Sequence, residues 1–226
     1  MTLVVSELFG PTLQGEGPSA GRRAGFVRLG RCSLNCSWCD TPYSWDWKRY
    51  DPAMELRELS VDEVAATIRA MDVPMVVVTG GEPLLQQRAI VELLKQLPGL
   101  GVEVETNGIH VPEPALVAYI DRFNVSPKLA NAGIERSRRH KPDVLRAFQA
   151  TGKAVFKFVV CGPQDLDEID AVVAECGLTD VWVMPEGTDA PTLVARARRL
   201  EDDVVARGWH LTPRLHILLW GAERGR

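Results

Sequence analysis

The chain has 226 residues, a formal net charge of −4 and a pI near 5.6. Mild acidity argues against a general nucleic-acid binder, which meets phosphates with a basic surface, and no apolar run reaches the ~18 residues of a membrane span. A content of 46% hydrophobic and 25% charged residues predicts one soluble domain over residues 1–226. A chain of this size buries roughly 70% of its unfolded surface and needs no disulfides.

Met1-Thr2-Leu3-Val4-Val5-Ser6-Glu7 has no basic segment and too short an apolar run for a signal peptide, so a cytoplasmic chain is expected. Residues 3–9 read as a strand, followed by a glycine-rich turn over 10–18. Phe26 to Leu29 is a second strand, feeding Cys32-Ser33-Leu34-Asn35-Cys36-Ser37-Trp38-Cys39. Ser60-x-x-Glu63 is a capping box, opening a helix with Val61, Val64, Ala65, Ile68 and Met71 on its apolar face.

The pattern then alternates. Strands are expected at 75–78, 102–105, 123–125, 154–160 and 181–184. Helices are expected at 86–97, 114–120, 142–150, 166–176 and 191–207. Leu215 to Leu219 reads as a last strand. Alternation predicts an α/β fold with a parallel sheet, and runs such as Val76-Val77-Val78 suit strands covered on both faces. Six or so units are too few for a closed (β/α)8 barrel, so a partial, open TIM-like barrel with a reduced set of helices is expected. The polar motifs fall at C-terminal strand ends, where such folds build sites: Thr79-Gly80-Gly81-Glu82-Pro83, Glu105-Thr106-Asn107-Gly108, Ser126-Pro127-Lys128 and Met184-Pro185-Glu186-Gly187.

Three of the five cysteines are spaced C-x3-C-x2-C. Clustered cysteines without an oxidising context read as metal ligands, yet zinc and iron–sulfur sites usually take four ligands. Either a distant residue closes the site or one position is left open for a substrate or cofactor. No second cysteine or histidine pair follows, which disfavours a zinc knuckle. Cys161 and Cys176 read as buried structural thiols, although either has the chemistry of a fourth ligand. The basic run Arg136 to Lys141 reads as a solvated loop.

The loop resembles the signature of the radical S-adenosylmethionine superfamily, with Trp38 as the aromatic before the last cysteine. Residues 9–17, Phe26-Val27-Arg28, Cys39-Asp40-Thr41, Glu105 to Gly108, Ser126 to Lys128 and residues 215–221 are further similar to the 7-carboxy-7-deazaguanine synthase family. That resemblance implies ring contraction of 6-carboxy-5,6,7,8-tetrahydropterin with loss of ammonia, in the route to 7-deazapurines such as queuosine precursors. It implies a [4Fe–4S] cluster on Cys32, Cys36 and Cys39, with S-adenosylmethionine at the open iron. Gly81, Glu82, Glu105, Ser126, Pro127, Lys128 and Trp38 are the expected cofactor contacts, with Glu186 a weaker one. Leu13, Gln14, Gly15, Glu16, Arg28, Thr79 and His216 are expected around the substrate, Glu16 and His216 as positioning groups. Mg2+ is expected on Thr41. An external one-electron reductant of flavodoxin or ferredoxin type and a homodimer are implied as partners. A glycyl-radical activase is the other reading of the signature. The aromatic loop from Tyr43 to Tyr50 and the tail from Ala222 to Arg226 have no role fixed by sequence.

Overall fold

A computed structural model describes residues 1–225. In chain order the elements are β1 (Thr2–Leu13), β2 (Arg23–Leu29), α1 (Pro52–Glu55), β3 (Arg57–Ser60), α2 (Val61–Ala70), β4 (Met75–Gly80), α3 (Gln87–Leu94), β5 (Gly101–Thr106), α4 (Pro114–Val117) and β6 (Arg122–Val125). There follow α5 (Arg136–Arg139), α6 (Pro142–Ala150), β7 (Ala154–Val160), α7 (Leu166–Cys176), β8 (Val181–Pro185), α8 (Ala190–Ala206), β9 (His210–Leu211) and α9 (Leu215–Trp220). The strands form one sheet in the order β3-β1-β2-β4-β5-β6-β7-β8-β9. From β2 onward every neighbouring pair is parallel, whereas β1 pairs antiparallel with both β2 and β3. The two end strands, β3 and β9, are not paired with each other, so the barrel is open as expected.

Local signals account for several boundaries. The Ser60 hydroxyl accepts from the Glu63 N–H, and the Glu63 carboxylate accepts from the Ser60 N–H, completing the capping box of α2. Gly177, at φ +66°, ends α7 in the left-handed conformation. Three expectations are corrected. The glycine-rich turn expected from Gly10 begins later: β1 runs on to Leu13, with register shifts where it passes Gly10-Pro11, and the chain turns only after it. The run Leu215 to Leu219 is helical, α9, and the last strand is the two-residue β9. Continuous apolar runs this short carry no periodicity that separates strand from helix; here Ile217 is buried while Leu218 and Leu219 face outward. The edge strand β3 has no apolar alternation and was not foreseen.

Side-chain alternation along the parallel strands divides the barrel in two. One face of the sheet carries Val27, Leu29, Val76, Val78, Val102, Val104, Phe123, Val125, Phe156, Phe158 and Val160, packed with Ile68, Ile90, Leu93, Leu116, Phe148 and Ile169 from the helices. Burying each such side chain contributes about 1.5–3 kcal/mol. The alternate positions, Arg28, Thr79, Glu103, Glu105, Asn124 and Lys157, face the concave side. There Ala24, Phe26, Met75 and Val77 make a smaller apolar cluster at the strand bottoms.

Candidate active site

Above that small cluster lies a cavity of about 250 Å³, far larger than a packing void and close to the ~300 Å³ at which small-molecule sites begin. Its wall includes Arg28, Thr79, Glu105, Asn124 and Lys157 from the strands, the turn Leu13 to Glu16, the three clustered cysteines, and the tail from Ala222 to Gly225.

One end is ionic. The Glu16 carboxylate pairs with Lys157 on one oxygen and accepts from Arg214 Nε at 3.0 Å on the other, and Arg214 also pairs with Asp40. Burial alone would raise the Glu16 pKa, but the two cations reverse this and hold it well below the usual carboxylate range. They leave a buried carboxylate that stays ionised. Lys157 is correspondingly held protonated by Glu16 despite its burial. His216 stands with Nε2 3.9 Å from Glu16, and burial lowers its pKa, favouring neutral imidazole. Gly15 is required beside it, since a Cβ there would fall 2.0 Å from His216 Nδ1. The start of α9 is tied to this turn by the Leu215 N–H, which donates to the Gly15 carbonyl at 2.8 Å.

Glu105 joins two other predicted residues. It accepts from Gln14 Nε2 at 3.1 Å and from the Thr79 hydroxyl at 2.8 Å. Arg28 donates through Nε to Glu7 at 2.7 Å, and no hydrogen bond of its terminal nitrogens is found among the described residues. Glu7 also accepts from the Tyr43 hydroxyl at 2.9 Å and from Arg224 Nε at 3.1 Å. The Arg224 guanidinium lies 3.6 Å from the Tyr43 ring centre. The tail therefore reaches the site; Arg226 lies outside the described residues.

The other end carries the thiols. Leu34 packs with Ala132 and Ile134, and the Ser37 N–H donates to the Ala132 carbonyl at 3.0 Å, fixing the loop against the segment after β6. Gly80 and Gly81 pass so close that Cβ atoms there would fall 2.1 Å from the Leu29 and Arg31 carbonyl oxygens. The glycine pair thus lets the end of β4 lie directly against the start of the cysteine loop. Burial pushes the Cys32 thiol up to about 12 and raises Cys36 as well. Both thiols stay protonated until something cationic binds them. Among the described residues, no three His, Cys, Asp or Glu side chains gather as ligands of one metal ion do. Three thiols on the wall of one cavity, without side chains on the glycine edge beside them, instead fit a polynuclear group that takes one thiolate per metal. Cys161 and Cys176 do not line the cavity. Lys128 donates to the Ser126 hydroxyl at 2.8 Å and lies 5.5 Å from the Trp38 ring centre, placing a cation at this end.

The structure therefore gathers Leu13, Gln14, Gly15, Glu16, Arg28, Trp38, Thr41, Thr79, Gly81, Glu105, Ser126, Lys128, Glu186 and His216 around one space. It does not bring Glu82 or Pro127 to the wall. The Glu82 carboxylate is fully buried and accepts from the Leu84 and Asn107 N–H groups and the Thr106 hydroxyl, at 2.8 to 2.9 Å. Burial outweighs these donors and raises its pKa. It fastens the end of β4 to the end of β5. His216 arrives from a helix, not a strand. Sequence reasoning missed Glu7, Asp40, Lys157 and Arg214. Lys157 had a legible signal, as the single charge inside the apolar run of β7; Arg214 had none.

The Radical SAM superfamily model matches residues 27–176. The 7-carboxy-7-deazaguanine synthase of Pyrobaculum aerophilum is 41% identical over 98% of this chain and 96% of its own length. That of Hyperthermus butylicus is 37% identical, over 96% and 92%. Among solved structures, QueE from Escherichia coli superposes with a TM-score of 0.70 at 25% identity, covering 95% of each chain.

Proposed function

The chain belongs to the 7-carboxy-7-deazaguanine synthase family of the radical S-adenosylmethionine superfamily, and from that premise we propose which of its residues carry the family's reaction. The reaction is the ring contraction of 6-carboxy-5,6,7,8-tetrahydropterin to 7-carboxy-7-deazaguanine with loss of ammonia. The observation that carries the assignment of residues is that the Leu13 to Glu16 turn and the three cysteines, separated by strand β2, line one cavity.

Cys32, Cys36 and Cys39 would hold the [4Fe–4S] cluster. When bound, the cluster and S-adenosylmethionine supply the one-electron cleavage and hydrogen-atom abstraction that start the contraction. The backbone edge at Gly81, with Ser126, Lys128 and Trp38, faces the space beside the thiols and would hold the cofactor's polar groups. Lys128 supplies the positive charge that an amino-acid carboxylate needs there.

The ionic end suits a flat, polar pterin. Glu16 is held ionised, so it accepts from the guanidine-like edge of the ring. Gln14 and Thr79, anchored on Glu105, are fixed in-plane partners. Arg28 keeps its terminal nitrogens free of protein acceptors among the described residues, and a fork of this kind matches a carboxylate. Neutral His216 can hold or release a proton next to the ring. Thr41 is the one protein ligand we propose for Mg2+, its hydroxyl 3.8 Å from Cys39 Sγ. Mg2+ binds through few protein groups when substrate oxygens and waters complete its shell. A small acidic electron carrier as reductant and a homodimer complete the proposal. A glycyl-radical activase is disfavoured by the near full-length synthase relatives.

The test is anaerobic reconstitution with iron and sulfide, followed by S-adenosylmethionine, Mg2+, dithionite and the carboxytetrahydropterin. A new deazaguanine absorbance with the product's mass is expected. A loaded cluster that gives no such product contradicts the proposal.

A further inference from the structure

The aromatic loop after the cysteines contains one contact that the reaction as described does not use. The Trp45 indole Nε1–H donates to Cys39 Sγ at 3.3 Å. The indole lines the cavity, and its backbone is fixed by a tight turn. The Ser44 N–H donates to the Thr41 carbonyl at 3.0 Å, the Trp45 N–H to the Pro42 carbonyl at 3.1 Å, and the Ser44 hydroxyl back to the Thr41 carbonyl at 2.8 Å. Ser44 itself is fully buried. The backbone that carries the donor is therefore held in place.

The three thiols differ in this respect. Cys32 Sγ accepts from the Leu34 N–H at 3.4 Å and meets Asn107 Nδ2 only at 4.0 Å. Cys36 Sγ is met by its own backbone N–H and by no side-chain donor among the described residues. Cys39 alone has an aromatic N–H aimed at its sulfur.

We propose that Trp45 is a positioning residue that sets the reduction potential of the cluster through its hydrogen bond to Cys39. The inference rests on the cluster assignment above. Reduction adds one electron from an external one-electron donor to the cluster; no bond forms or breaks, and the added negative charge spreads onto the ligating sulfurs. An N–H aimed at one of those sulfurs stabilises the reduced form more than the oxidised form. Hydrogen bonds to ligand sulfur are one of the levers by which proteins tune iron–sulfur potentials. Removing the donor makes the cluster harder to reduce.

The experiment is a potentiometric titration of the reconstituted protein, followed by the electron paramagnetic resonance signal of the reduced cluster, without substrate or turnover. Trp45→Phe is expected to take up the same iron and sulfide as the parent chain and to titrate at a more negative potential. Replacing Trp45 with 3-benzothienylalanine nearly keeps the ring's shape and exchanges the N–H for a sulfur that cannot donate; it is expected to shift in the same direction, and it decides the matter if Trp45→Phe loads poorly. Trp47→Phe, at the exposed ring two residues on, is the control and should not shift. An unchanged or more positive potential in the benzothienyl protein overturns the inference and leaves the cluster assignment standing. A parent chain that assembles no four-iron cluster overturns both.

Discussion

The two ends of the cavity solve opposite problems. At the ionic end, Glu16, Lys157, Arg214 and Asp40 neutralise one another, so the site is complete as folded. At the thiol end, burial raises Cys32 and Cys36, and the nearby Lys128 offsets this only in part at Cys36. The first end offers a ligand groups whose charge is already fixed. The second acquires its charge state only when metal binds, because thiolate formation and metal binding are one coupled event. On the proposed assignment, substrate recognition is built into the fold and the redox centre is added to it.

The largest expected effect breaks the thiol end. Cys36→Ala should reduce bound iron to background after reconstitution and abolish turnover, while thermal unfolding of the metal-free protein stays near that of the parent. A large fall in metal-free stability would mean that the thiol end is also structural.

Breaking the ionic end should do the reverse. Glu16→Gln leaves Lys157 and Arg214 buried without their shared counter-charge and should cost about 3–5 kcal/mol in urea unfolding at neutral pH. The pH dependence has a definite sign. The folded-state pKa of Glu16 lies below its ordinary value of 4.5. Its contribution is therefore complete above that pH and is lost as pH falls through the folded value. The parent should lose stability on acidification below pH 4.5 more steeply than Glu16→Gln; parallel curves would contradict the pairing.

How much of this division is legible in the sequence depends on whether a residue announces itself locally. The cysteine spacing, the glycine pair Gly80-Gly81 and the capping box at Ser60 are short-range signals with one physical meaning each, and the helices and parallel strands followed from their hydrophobic periods. The ionic end is different. Lys157 and Arg214 meet Glu16 across 141 and 198 residues of chain, and nothing near any of the three in sequence marks the partnership. Glu82, expected at the cofactor, lies off the cavity wall, and its partners are illegible for a related reason. A carboxylate in a glycine-rich rim motif reads as a ligand contact, and only the fold shows its three donors beneath the wall. The α9 segment failed because six apolar-rich residues carry too little period to choose a helix over a strand.

A smaller perturbation sharpens the comparison. Gly15→Ala forces the His216 ring out of its place and should lower kcat/KM for the pterin by roughly 10²-fold, as misplacement on this scale commonly does, with iron content unchanged. Equal loss of iron would show that the two ends are not separable. The smallest effect is expected beside Arg28, where Tyr43→Phe removes one hydrogen bond to Glu7 and should cost about 1 kcal/mol, read as a modest fall in Tm.

The division of labour itself is tested most directly by titration calorimetry of two reconstituted variants with each ligand in turn. Cys36→Ala should lose heat of binding for S-adenosylmethionine and keep it for the carboxytetrahydropterin; Arg28→Gln should keep the first and lose most of the second. Variants that lose both ligands together, or that exchange these patterns, would contradict the account.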